Sequence, residues 1–181
     1  MHIRAAAPPD APRIVRLHVE SWRRVYREVL SASYLEEEIE AERAALWNDR
    51  FSHPSFQPHI LVAEEAGESL GFACAYGDDD PEWGTLLDNI HVDLAHQGRG
   101  VGKALLGAVA AWSAREYPER GLYLWVVESN VEARKIYAHL AGEIVGSSVW
   151  EPPGGGAVPS LRFAWRSAAE LAARAGEGQR S

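Results

Sequence analysis

The stretch Gln97-Gly98-Arg99-Gly100-Val101-Gly102-Lys103 constrains the fold of this chain most, because of what stands on either side of it. Upstream, Leu86-Leu87-Asp88-Asn89-Ile90-His91-Val92 reads as a strand. Downstream, Val101, Leu105, Ala108, Val109 and Trp112 recur at the spacing of one helix face. Glycine adopts φ > 0 readily and has no side chain to obstruct a close approach, so such a turn lets backbone N–H groups converge on one point. The first N–H groups of a helix lack internal partners, and the helix dipole favours an anion at that end. The turn is therefore suited to hold phosphate.

Spacing separates the known phosphate-binding loops. A P-loop requires Gly-x-x-x-x-Gly-Lys-Ser/Thr. Here Gln97 occupies the first glycine position and Ala104 follows Lys103, so no hydroxyl is available for Mg²⁺. A dinucleotide fingerprint requires Gly-x-Gly-x-x-Gly. Gly98 and Gly100 satisfy its first two places, but the third is Lys103, which makes it a weak match. A third pattern, Gln/Arg-x-x-Gly-x-Gly/Ala, is met in full by Gln97, Gly100 and Gly102. The bland alternative is a glycine-rich turn with no ligand.

A second motif lies further on. Leu122-Tyr123-Leu124-Trp125-Val126-Val127 has the β-branched and aromatic composition of a buried strand. In the helical pattern after it, Asn130, Ala133 and Tyr137 fall three and four apart on one stripe. With these two motifs in this order, the chain resembles the GNAT superfamily of acyl-CoA-dependent N-acyltransferases. The resemblance implies a mixed α/β fold in a single domain. Its sheet is mostly antiparallel, six- to seven-stranded and flanked by about four helices, with a V-shaped splay between the central strands. Acetyl-CoA would enter that splay. Ile90, His91 and Val92 would offer backbone groups to its pantetheine arm. Gln97, Gly98, Gly100, Val101 and Gly102 would hold its pyrophosphate, with Arg99 and Lys103 as added charges or merely a solvated rim.

The resemblance also assigns chemistry, namely transfer of an acetyl group to a primary amine. Tyr137 matches the family's general acid, which protonates the departing sulfur; its structural alternative is core packing with Ile136 and Leu140. Asn130 would contact the pantetheine, cap its helix, or both. Ala133 would let the cofactor pass close. Asp88, His91 and Glu20 are the candidate general bases. A histidine needs little tuning to accept a proton near neutrality, yet His91 also suits a half-buried structural position. Glu20, Trp22 and Tyr26 are the candidate acceptor contacts, with core packing as the alternative for Trp22. The Asp78–Asp80 loop could attract a cationic amine or simply be solvated. The histidines show no metal-ligand spacing, so no metal is expected. The alternative to an enzyme is a non-catalytic acyl-CoA-binding regulatory module on the same fold.

Composition sets the outer limits. A chain of 181 residues suits one domain, 1–166, followed by a short helix and frayed tail over 167–181. A formal charge of −8 argues against nucleic acid as a partner and weakly favours a cationic acceptor such as a small-molecule or peptide amine. The lone Cys74 excludes a disulfide framework and fits a reducing cytoplasm. No stretch approaches a membrane span or a signal peptide. A homodimer is expected from exposed late strands.

The remaining layout follows from local signals. His2-Ile3-Arg4 reads as a strand, and Asp10 with Pro12 starts a helix. Ser33 with Glu36 resembles a capping box for a second helix, whose apolar side is Leu35, Ile39 and Leu46. Pro54 and Pro58 mark a loop. Ile60–Glu64 and Gly71–Tyr76 form a hairpin turned near Gly67-Glu68, and late strands are expected at 143–150 and 161–165. Ser167 with Glu170 would cap a tail helix, with fraying from Gly176.

Overall fold

Ile60-Leu61-Val62-Ala63 is apolar on both faces, a pattern that suits a strand covered on both sides. It forms the centre of β2 (His59–Glu65), and all four residues are buried. The computed structural model describes residues 1–53 and 58–177. The loop signal at Pro54 and the tail over 178–181 lie outside the described residues.

Among the described residues, seven strands form one sheet in the order β1-β2-β3-β4-β5-β7-β6. The others are β1 (His2–Ala5), β3 (Glu68–Asp80), β4 (Gly84–Val92), β5 (Leu122–Val127), β6 (Glu143–Trp150) and β7 (Val158–Trp165). Five α-helices accompany them, the four expected to flank the sheet and the expected tail helix: α1 (Ala11–Val25), α2 (Ile39–Ser52), α3 (Val101–Glu116), α4 (Val131–His139) and α5 (Ala168–Gly176). Alternation divides the core. Ile60, Val62, Phe72 and Cys74 pack with Ile14 and Leu17 of α1 and Trp47 of α2. Leu61, Ala63, Ala73 and Ala75 face the opposite way, toward α3 and α5. The tail helix α5 buries Leu171 completely in that second cluster.

Every neighbouring pair of strands is antiparallel except β4–β5. That parallel pair is bonded only from Thr85 to Leu87 against Leu122 to Leu124. β4 stays paired with β3 as far as Val92, and β5 with β7 as far as Val127. Past Leu87, then, each strand keeps its outer partner and loses its inner one. The sheet opens there as a V.

Several local expectations are corrected. The β2–β3 turn is Ala66-Gly67, with φ of 51° and 85°, and Glu68 already belongs to β3. This is the two-residue hairpin geometry that needs left-handed residues at both central positions. Asp10 does not cap α1 with its side chain; its carboxylate accepts from the Ala7 N–H at 2.8 Å and pairs with Arg4, tying the helix start to β1. The second helical segment starts earlier than read. Ser31 Oγ, not Ser33, accepts from the Tyr34 N–H at 3.3 Å, and a π-helical stretch (Tyr34–Glu38) leads into α2. The buried side of α2 is Ile39, Arg43 and Trp47, with Leu46 only half-buried. β7 begins at Val158, earlier than expected.

Asp78, Asp79 and Asp80 are the end of β3 rather than a loop, with Asp78 and Asp79 exposed to solvent. Asp78 pairs with Arg120 at 3.0 Å, Asp79 accepts from the Tyr123 hydroxyl at 2.5 Å, and Asp80 accepts from the Glu82 and Trp83 N–H groups. They serve the β3–β4 turn and line no part of the cavity described next. Their part in attracting an acceptor is withdrawn.

Candidate active site

The open half of the V is one cavity of about 1550 Å³, larger than most small-ligand sites. One end is the glycine turn. Gly98 and Gly100 hold φ of +77° and +79°, with open space where a Cβ would stand. Gly100 is the N-cap of α3 and contributes no side-chain cap. The first N–H bonded into the helix is that of Ala104, to the Gly100 carbonyl, so those of Val101, Gly102 and Lys103 have no partner among the described residues. A cradle of free donors with unobstructed space above it fits an anionic phosphate group.

The charged residues of the turn behave differently from the glycines. Arg99 does not line the cavity: it pairs with Glu65 at 2.7 Å and contacts His96 Nδ1 at 2.9 Å. Lys103 lines it, while Nζ donates to the Glu177 carbonyl at 2.5 Å. Gln97 Nε2 donates to the Val92 carbonyl at 3.3 Å, bracing the turn against the end of β4. Val101 is buried and offers the cavity little beyond its backbone.

The middle of the cavity runs between β4 and α4. Ile90, His91 and Val92 line it from β4, where the strand has no β5 partner. Asn130 Oδ1 accepts from the Ala133 N–H at 3.2 Å and so caps α4, and both residues also line the cavity. The capping role of Asn130 is therefore present, together with access to the cleft. Tyr137, one helix turn beyond Ala133, also lines the cavity. It is buried against Phe163 and Trp165, at 5.6 and 6.0 Å between ring centroids. Burial raises its hydroxyl to about 12, so it stays protonated at neutral pH. The ring packs in the core with Leu140, Phe163 and Trp165, whereas Ile136 is exposed, and Tyr137 also lines the cavity.

The third region lies under α1 and α2. His91 Nδ1 is 2.8 Å from Ser21 Oγ, and its ring is 4.8 Å from that of His18. Loss of solvent, then the positive charges of Arg24 and Arg43, lowers His91 to about 4. His18 is fully buried, and burial holds it well below its usual value. Trp47 Nε1 donates to His18 Nδ1 at 3.0 Å; indole is only a donor, so that nitrogen carries no proton. Among the described residues no group of His, Cys, Asp and Glu is arranged to hold a metal.

The other candidates separate. Asp88 lines the cavity, but its carboxylate accepts from Arg50 at 2.7 Å and from its neighbour Asn89. Glu20 is exposed on α1, lies 3.9 Å from Arg16, and is not part of the cavity wall. Trp22 and Tyr26 do line it, 4.9 Å apart, and Trp150 from the end of β6 completes an aromatic corner at 5.4 and 5.5 Å. Ser21, Arg24, Arg43 and Trp150 were not singled out from sequence. Arg43 carried a signal: it interrupts the Ile39–Trp47 stripe with a charge at helical spacing.

With this geometry in hand, comparisons with known proteins give a consistent result. The model of the acetyltransferase (GNAT) family matches residues 17–142. The "Probable N-acetyltransferase Rv2775" of Mycobacterium tuberculosis is 28% identical over 169 residues, covering 90% of this chain and 92% of its own. A GCN5-related N-acetyltransferase from Rhodopseudomonas palustris has the same fold, with a TM-score of 0.71 at 20% identity over 90% of this chain and 93% of that one. The acetyltransferase yncA of Salmonella typhimurium, solved with its cofactor acetyl-CoA, gives 0.67 at 19% identity over 91% and 92%.

Proposed function

This chain belongs to the GNAT acetyltransferase family, and on that premise we propose that it moves an acetyl group from acetyl-CoA to a primary amine of a small molecule or peptide, with both held at once. The observation that carries the reading is one continuous cavity lined both by a turn with free donors and by a protonated tyrosine. Acetyl-CoA supplies, when bound, an acyl carbon activated as a thioester, so that a C–N bond forms as the C–S bond breaks.

The chain's own residues have distinct tasks. The N–H groups of Val101, Gly102 and Lys103 hold the pyrophosphate, and Gly98 and Gly100 keep the approach clear. The unpaired side of β4 from Asn89 to Val92 binds the pantetheine as an added strand would. Ala133 leaves room for it beside α4, and Asn130 fixes the helix that carries Tyr137. The Tyr137 Oη holds the proton that the departing sulfur takes. His91, kept neutral by burial, is the base we retain; Ser21 and His18 fix its position. Asp88 is better described as the partner of Arg50, and Glu20 and Arg99 stand outside the cavity wall. Trp22 and Tyr26 contact the acceptor.

Purified protein incubated with acetyl-CoA and a panel of primary amines should release free thiol in step with acetylated amine. Tight binding of acetyl-CoA with no thiol released across the panel would replace the enzyme with an acyl-CoA-binding module. Among the described residues no helix is long and apolar enough to cross a membrane. We place the protein in the cytoplasm on its one buried, unpaired cysteine. A homodimer through the open β6 edge, where Ile144 and Val149 are exposed, belongs to the same reading, and sedimentation tests it.

A further inference from the structure

The acceptor end of the cavity has the opposite sign to the chain. The protein carries −8 overall, yet Arg24, Arg43 and Arg50 all line this wall. Arg50 is committed to Asp88. Arg43 is buried at 8% exposure, with its guanidinium 4.4 Å above the Trp22 ring. Among the described residues its one hydrogen-bond partner is Glu42, through Nη2, and that carboxylate is shared with the Tyr34 hydroxyl. Arg43 Nε is buried and has no hydrogen-bond partner among the described residues. Arg24 is exposed and has no ion-pair partner among the described residues. Both guanidinium groups lie near enough to His91 to lower its affinity for a proton. Burying a charge with donors unsatisfied is costly unless something completes them.

We infer that the acceptor is an amine that also carries a carboxylate, held by Arg24 and Arg43 beside the Trp22–Tyr26–Trp150 corner. A guanidinium matches a carboxylate in plane and in spacing. The rest of the wall suits such a molecule. Of the lining carboxylates, Asp88 is paired with Arg50 and Glu132 with Lys135, which leaves Glu151 for the ammonium form of the acceptor. A polyamine has no group for the two arginines and would be repelled by them. This inference rests on the acetyltransferase reading and narrows its substrate.

Matched pairs test it: phenylalanine against phenethylamine, tryptophan against tryptamine, lysine against cadaverine, with spermidine alongside. The carboxylated member of each pair should have the higher kcat/KM by roughly tenfold or more, since a site with unpaired donors discriminates against the analogue lacking their partner. Arg24→Gln, at an exposed position, should bring that ratio toward one by raising KM for the carboxylated members alone. Calorimetric titration of phenylalanine and phenethylamine into the protein without acetyl-CoA should show the same order of binding. Equal or better use of the decarboxylated amines or spermidine overturns the inference and leaves the enzyme intact. Thiol release with none of them overturns both.

Discussion

Tyr137 is asked to do two things that a side chain rarely does together, filling the core with its ring while exposing its hydroxyl to a cavity. The ring packs on Phe163 and Trp165, so Tyr137→Phe keeps the shape and removes only the oxygen. Turnover should fall by roughly 10²-fold, the usual weight of one general acid. Affinity for acetyl-CoA, measured by titration, should change by less than about twofold. Unchanged turnover removes Tyr137 from the chemistry. His91 is a different case, because its environment weakens it as a base. With its value at about 4, the acid limb it contributes to kcat/KM lies near pH 4, well below the limb set by deprotonation of the amine itself. His91→Ala should therefore lower kcat/KM across pH 6–8 without moving the midpoint seen there. A profile identical in height and shape to that of the parent protein makes His91 purely structural. Both residues were legible in the sequence, Tyr137 by its motif and His91 by its strand. The damping of His91 was not, since the groups responsible, Arg24 and Arg43, lie on two helices remote from it in sequence.

At the scale of elements, the site exists because β4 and β5 meet only at one end. That end is pinned by glycines rather than by side chains. A Cβ on Gly121 would stand 2.4 Å from the Trp165 carbonyl oxygen and 2.9 Å from that of Trp83. Gly84, at φ +82°, would place its own 2.4 Å from the Gly121 oxygen. The Thr85 N–H donates to that same oxygen at 3.1 Å. Backbone, unlike a flexible side chain, cannot move aside, so Gly121→Ala should destabilise the fold by about 3 kcal/mol in a denaturant titration. A loss below about 0.5 kcal/mol would mean the closed end tolerates spreading. Removing the α4 cap is milder: Asn130→Ala should cost about 1 kcal/mol in a denaturant titration, and turnover should fall as Tyr137 loses its fixed helix. Elements whose signals are local were readable. The strand at 122–127, the turn into α3 and the Ser167 cap, which accepts from the Glu170 N–H at 3.2 Å, all stand where the residues put them. The misreadings have different causes. Ser31 displaced Ser33 through a local bond from the Tyr34 N–H. Asp78–Asp80 became strand because partners distant in sequence, Arg120, Tyr123 and Arg162, decided what the local pattern left open.

At the scale of the whole molecule, the histidine pair couples the site to stability. His18 and His91 sit on α1 and β4, face each other at 4.8 Å, and meet Arg43 from α2, Arg50 from α2 and Arg24 from α1. No carboxylate is among the causes of either shift, so nothing compensates a proton placed on either ring. Both folded values lie below the ordinary 6.5, so the unfolded chain takes up these protons first. Stability is then complete above about pH 6.5 and declines as pH falls, through His91 at about 4. Each pKa unit is worth about 1.4 kcal/mol, which sets an upper bound of about 3.5 kcal/mol for His91 alone. Asp10 and Glu64, which Arg4 holds low, and Glu65, held low by the N-terminal amine and Arg99, lose their contribution as pH falls from their ordinary values of 3.8 and 4.5, so the interval from 6.5 to about 5 belongs to the histidines, His59 among them because burial lowers it too. Urea titrations at pH 7.5, 6.0 and 5.0 should show the midpoint falling in step. His91→Gln, which keeps a polar group near Ser21 but cannot titrate, should remove up to about half of that slope and leave the rest to His18 and His59. A slope equally steep in the variant removes His91 from the effect and assigns it to His18 and His59. A flat midpoint in the parent protein shows that the α1–β4 seam admits water freely, and the site would then lack the dry wall that keeps His91 neutral.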